Sequence, residues 1–176
     1  MDTRINNISI RARVAYLIMC FERYVAEKYP QGKWQPVAEM MWKICDNSDY
    51  IDISAYRYLD IIPDHLYARE NYTESKFEYM TEAEYEVFTS VIPKGDSNLT
   101  VLMHSIYDVA IEYAYCGIPK GAPDTIPYIE DVEQIMHDIG LELPDISLLY
   151  GYVDPEDWWG DTFDGRYLSI ILDQNK

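Results

Sequence analysis

The chain has 176 residues, of which 31 are acidic and 14 basic, for a formal net charge of −17. Such a surface repels nucleic acid and anionic lipid and attracts basic partners. With 48% hydrophobic residues it is too apolar for a disordered acidic tail, and it is long enough to bury roughly 70% of its unfolded surface without staples.

The charge is uneven. Residues 1–46 carry seven Lys/Arg and five Asp/Glu, whereas residues 47–176 carry seven and 26. Tyrosine is in excess, 17 against four phenylalanines. An apolar ring with a polar tip suits the margin of a core, where these tyrosines are expected. Cys20, Cys45 and Cys116 make an odd set without metal spacing and read as reduced, buried thiols of a cytoplasmic protein. The apolar stretch Val14–Phe21 is too short for a secretory signal, and no run approaches the ~20 residues needed to cross a bilayer.

In chain order, Ile10, Val14, Leu17, Ile18, Phe21 and Val25 form one stripe at the 3.6-residue period and predict a helix over 8–29. Arg11, Arg13, Glu22, Glu27 and Lys28 are expected mostly away from that stripe. Pro30 and Gly32 stop it. A second helix is predicted from Pro36 to Asp46, with Val37, Met40, Met41 and Ile44 inward and Trp42 at the edge. Asp46-Asn47-Ser48-Asp49 is a turn cluster. A helix over 54–62 should end before Pro63, and 64–80 has no clean period.

Thr81 and Glu84 fit a capping box that opens a helix to Val91. Asp96 or Ser97 caps the next helix. Its apolar positions Leu99, Leu102, Met103, Ile106, Val109, Ala110, Tyr113 and Ala114 give the clearest buried stripe in the chain, with Gly117 expected to end it. Asp124 or Thr125 caps a last helix that stops at Gly140. Residues 144–176 change character and become dense in Gly, Asp and aromatics, with 167–172 a short strand or docked tail. The expected fold is mainly α: a single domain over 1–176, with five or six helices in a body over 8–143 and an irregular segment after it.

No chemistry-bearing motif emerges. His65, His104 and His137 are far apart and lack the HExxH spacing. His104 is expected as a hydrogen-bonded margin residue and His137 as a solvated one. No cysteine or serine sits in a nucleophile signature, and Pro119-Lys120-Gly121 lacks the phosphate-loop frame. An EF-hand register on Gly165 places Gly160 and Ile171 where ligands belong, so it fails. No catalytic residue, cofactor or metal is expected. The best partner-binding candidates are Asp154, Glu156, Asp157, Trp158, Trp159, Asp161 and Asp164. Two adjacent tryptophans among acids suit an interface anchor with an acidic rim; the alternative is a ring that fixes the tail to the core.

On its charge asymmetry, this acidic-aromatic segment and the missing catalytic signatures, the chain resembles in type the immunity proteins of bacterial polymorphic-toxin and contact-dependent competition systems. That resemblance implies binding and neutralising a cognate, basic toxin domain in the cytoplasm, with no direct contact to nucleic acid or membrane. Two other readings stand beside it. One is an acidic interaction or adaptor module, including nucleic-acid mimicry. The other is an enzyme or metal-binding protein whose carboxylates converge from distant positions.

Overall fold

Helix α1 (Ile10–Lys28) is the axis of the fold, and from Ile10 to Val25 only Arg23 reaches the surface. The computed structural model describes residues 3–46, 51–75, 77–153, 156 and 158–172. After α1 come α2 (Gln35–Asp46), α3 (Ile51–Leu59), the single turns α4 (Pro63–Leu66) and α5 (Tyr72–Ser75), α6 (Glu82–Val91), α7 (Ser97–Ile111) and α8 (Ile126–Asp138). Short 3-10 turns lie at Thr3–Asn7, Pro123–Thr125, Ile146–Leu149 and Gly165–Leu168. Among the described residues there is no strand, so the chain is mainly α with six helices longer than one turn.

The central place of α1 explains its sequence. It packs against α2, α7 and α8, while α7 also packs on α3 and α4. Ile10, Val14, Leu17, Ile18, Phe21 and Val25 are all buried, each contributing about 1.5–3 kcal/mol by removal from water. Arg11, Arg13 and Glu22 are buried too, which corrects their expected solvent-facing placement. A helix covered on every side has no outward face, so its polar residues serve as internal anchors for loop backbone.

Arg13 is the clearest case. It is 0% exposed and, among the described residues, has no carboxylate within ion-pair distance. Its guanidinium donates to the carbonyls of Ala122 (2.7 Å) and Gly121 (2.8 Å) and to Thr125 Oγ1 (2.6 Å). It thereby holds the turn before α8 in which Ala122 adopts a left-handed φ of 41°. Burial pushes its pKa down to about 10, which leaves it charged at neutral pH.

The expected caps form in two places. The Thr81–Glu84 capping box opens α6, and the Asp96 carboxylate accepts from Leu99 N–H at 3.0 Å at the start of α7. Gly140, at φ 73°, ends α8 in a Schellman arrangement, with Leu141 N–H on Met136 O and Gly140 N–H on His137 O. Three expectations need correction. α7 ends at Ile111, and residues 112–116 form turns, so Gly117 is not its left-handed terminus. Thr125 caps nothing with its side chain, because its hydroxyl serves Ala122 O and Arg13 instead. Trp42 is buried rather than at an edge. The turn expected at Asp46–Asp49 lies, beyond Asp46, outside the described residues.

Most of the described tyrosines occupy the core margin, although Tyr58 is fully buried and Tyr115 is exposed, and their partners are informative. Tyr16 donates to Glu133, Tyr24 and Tyr29 to Asp96, Tyr113 to Asp124, and Tyr128 to Glu112. The excesses of tyrosine and of acid are therefore partly one device, a set of phenol–carboxylate bonds joining elements. Cys20 and Cys45 are buried and their thiol pKa values are raised by that burial, Cys45 to about 12; such thiols are inert. Cys116 is exposed, contrary to expectation, because it lies in the turn after α7.

Candidate functional site

The irregular C-terminal segment is folded by α1. The first-turn N–H groups of a helix need outside acceptors, and α1 takes them from the other end of the chain. Ser9 N–H donates to Tyr152 O (2.9 Å), Ile10 N–H to Trp158 O (2.8 Å) and Arg11 N–H to Trp159 O (3.1 Å). The Arg11 side chain adds bonds from Nε to Gly160 O and from its terminal nitrogen to Ile44 O. Gly160 sits at φ 81°, and a Cβ there would fall 2.2 Å from Ser9 Oγ, so this crossing requires glycine.

Further on, Glu22 holds the tail. Its carboxylate accepts from Trp42 Nε1 (2.9 Å), Ser169 Oγ (2.6 Å) and Ile170 N–H (2.7 Å). Burial raises the Glu22 pKa, while these three donors oppose the rise. The segment at 167–172 is thus a docked tail containing a 3-10 turn, not a strand.

These anchors decide where the sequence candidates lie. Trp158 is 8% exposed, at φ 67°, and its carbonyl caps α1. Its ring is covered, so the tail-fixing alternative describes it. Trp159 is half-buried against the core. Glu156, Asp161 and Asp164 are exposed, and Asp164 accepts from Arg166 N–H at 3.0 Å to open the 165–168 turn. Asp154 and Asp157 lie outside the described residues.

A different apolar set in the same segment faces solvent. Leu148, Val153, Tyr167 and Ile170 are all exposed, Tyr167 at 54%. Tyr167 touches Tyr152 through their hydroxyls, and Tyr152 packs on Phe163 with ring centroids 4.2 Å apart. The segment therefore exposes aromatic and apolar side chains as well as acids, the composition of an anchor with a charged surround. The Tyr152–Phe163–Tyr167 cluster was not foreseen as a unit, although its residues lie in the segment singled out by composition.

A second constellation was missed altogether. Asp64 and His65 on α4 meet His104 on α7, with one ligand atom of each within 4.8 Å of the others. His104 Nε2 lies 2.9 Å from both Asp64 oxygens, and the two imidazole centroids are 5.9 Å apart. Burial pulls the Asp64 pKa up, but the bond and charge of His104 outweigh it and hold the carboxyl low. His104 is therefore the hydrogen-bonded margin residue expected, and His137 is exposed as expected.

A cavity of about 560 Å³ lies between the α1–α2 connection and the tail, lined by Lys33, Trp34, Gln35, Glu39, Ile170 and Ile171 among others. Among the described residues that line it, Glu39 is the one carboxylate. Compared with known proteins, the chain matches no family model, and neither a curated protein nor a solved structure is significantly similar to it. No helix is long and apolar enough, among the described residues, to cross a membrane.

Proposed function

We propose that this chain binds and neutralises a basic protein domain in the cytoplasm, as an inhibitor of the immunity-protein type, and that it catalyses no reaction itself. The observation that supports this reading is the C-terminal surface. Tyr167 stands exposed against Tyr152, which packs on Phe163, in a segment whose Glu156, Asp161 and Asp164 are also exposed and which is fixed at both ends to α1. A rigid apolar-aromatic patch in an acidic surround suits a partner with an exposed cationic site, and covering such a site blocks it without chemistry. The anchor in this reading is Tyr167 with Tyr152, in place of Trp158.

The experiment is affinity capture from the native cell with the purified chain, at low and moderate salt. One stoichiometric basic protein that survives moderate salt, and whose activity the chain blocks, is the expected result. A mixture of basic proteins shed at moderate salt would reject a dedicated inhibitor. With the target in hand, Tyr167→Ala should weaken binding by about 2 kcal/mol, roughly 30-fold, while thermal unfolding stays unchanged. Unchanged affinity would remove Tyr167 from the interface.

A further inference from the structure

We propose that Asp64, His65 and His104 form a binding site for a zinc-class divalent metal ion that joins α4 to α7. The inference does not depend on the acidic-surface reading. Two imidazoles and one carboxylate are the donor set zinc takes, whereas calcium and magnesium demand oxygen alone. Four-coordinate zinc with bonds near 2.0–2.1 Å puts ligand atoms roughly 3.3 Å apart. One pair here, His104 Nε2 and an Asp64 oxygen, is already 2.9 Å apart, and all three ligand atoms lie within 4.8 Å. The remaining closure is within the reach of side-chain rotation, because Asp64 already faces His104 and the exposed His65 ring can turn toward both.

The scaffold beneath the ligands is fixed. His104 projects from the middle of the 15-residue helix α7. Asp64 and His65 ride on the turn opened by Pro63, which is pinned by His65 and Leu66 N–H bonds to Ile62 O and by the buried Leu66 side chain. α4 packs directly on α7. The surroundings favour a dication. Asp108 follows His104 by one helical turn, and Asp60 precedes the α4 turn with its Oδ2 buried and lacking a hydrogen-bond partner. Both carboxyls have pKa values raised by burial, so each gains from a nearby positive charge. Three protein ligands leave a fourth position for water or for a donor from a bound partner.

The test uses the full chain, stripped of metal. Zn²⁺ is titrated calorimetrically, and Co²⁺ is titrated as a spectroscopic probe that reports tetrahedral N/O coordination by its visible bands. The expected result is saturation at one equivalent, with a rise in Tm. His65→Ala and Asp64→Asn should each weaken Zn²⁺ binding by more than ~100-fold, beyond the effect of losing an outer-sphere partner. His137→Ala, at an exposed position on α8 outside the cluster, should bind as the parent does. His104→Ala belongs to the series as well, but the exposed His65 and Asp64 carry the test if that variant folds poorly. Absence of saturable binding would overturn the proposal, as would one-equivalent binding that survives both His65→Ala and Asp64→Asn.

Discussion

Two carboxylates on the path of α1 have opposite electrostatic fates. Glu22 is buried with no cation among its described partners, and burial raises its pKa above the ordinary 4.5. Burial also pulls Asp96 upward, but bonds from Leu99 N–H and from the Tyr29 and Tyr24 hydroxyls outweigh it, holding the group below 3.8. Linkage then gives opposite slopes. The stability that Glu22 carries is present at low pH and is lost as pH rises through its raised folded value. The stability that Asp96 carries is present above 3.8 and is lost as pH falls through its lowered one. Glu22→Gln turns one acceptor into a donor facing its partners, a change that costs about 1–3 kcal/mol. That penalty should shrink as pH rises above 4.5, whereas the penalty of Asp96→Asn should shrink as pH falls below 3.8. Urea unfolding of the parent and both variants across that range measures both slopes, and parallel curves would refute the assignment.

At the scale of elements, the stripes of α2, α7 and α8 were legible because burial on one side imposes a 3.6-residue period, and α1, covered on every side, still carries its large apolar residues at that period. The capping box at Thr81 and the terminus at Gly140 were legible because their chemistry is local. The inward placement of Arg11, Arg13 and Glu22 was not, since a charged residue on a helix reads as solvent-facing until the neighbours are known. The tail was legible only in composition. Its conformation depends on carbonyls that cap α1 from some 150 positions away, and no local pattern records that. Asp64 and His104, 40 positions apart, met for the same non-local reason. The close packing of the tail gives its own test. A Cβ on Gly165 would fall 1.9 Å from Trp42 Cε3, so Gly165→Ala must displace either the indole or the turn. The expected loss is about 1–3 kcal/mol, read by urea unfolding and by the Trp emission of the folded state. Unchanged stability would mean that the 165–168 turn is not seated on Trp42.

For the whole molecule, the distribution of charge matters more than its total. Of the charged side chains that the described core encloses, Arg11 and Arg13 are cations and Glu22 is the one acid. Burial therefore takes more positive than negative charge from the surface of a chain already at −17. Four acids (Glu133, Asp96, Asp124 and Glu112) are engaged by tyrosine hydroxyls. Acids such as Glu82, Glu86, Glu130, Asp131, Asp161 and Asp164 are exposed. A field of this kind acts before contact, so it belongs to the association rate; Tyr167 acts only on contact, so it belongs to the dissociation rate. The Debye length falls from about 14 Å near 0.05 M to about 4 Å near 0.5 M salt. Across that range the on-rate with the basic target should fall by one to two orders of magnitude, with the off-rate nearly constant. Tyr167→Ala should do the reverse, raising the off-rate and leaving the salt slope unaltered. Stopped-flow association with the captured partner separates the two contributions. An on-rate indifferent to salt would mean that the acids serve the tyrosine network and solubility alone, and that recognition rests on the apolar patch.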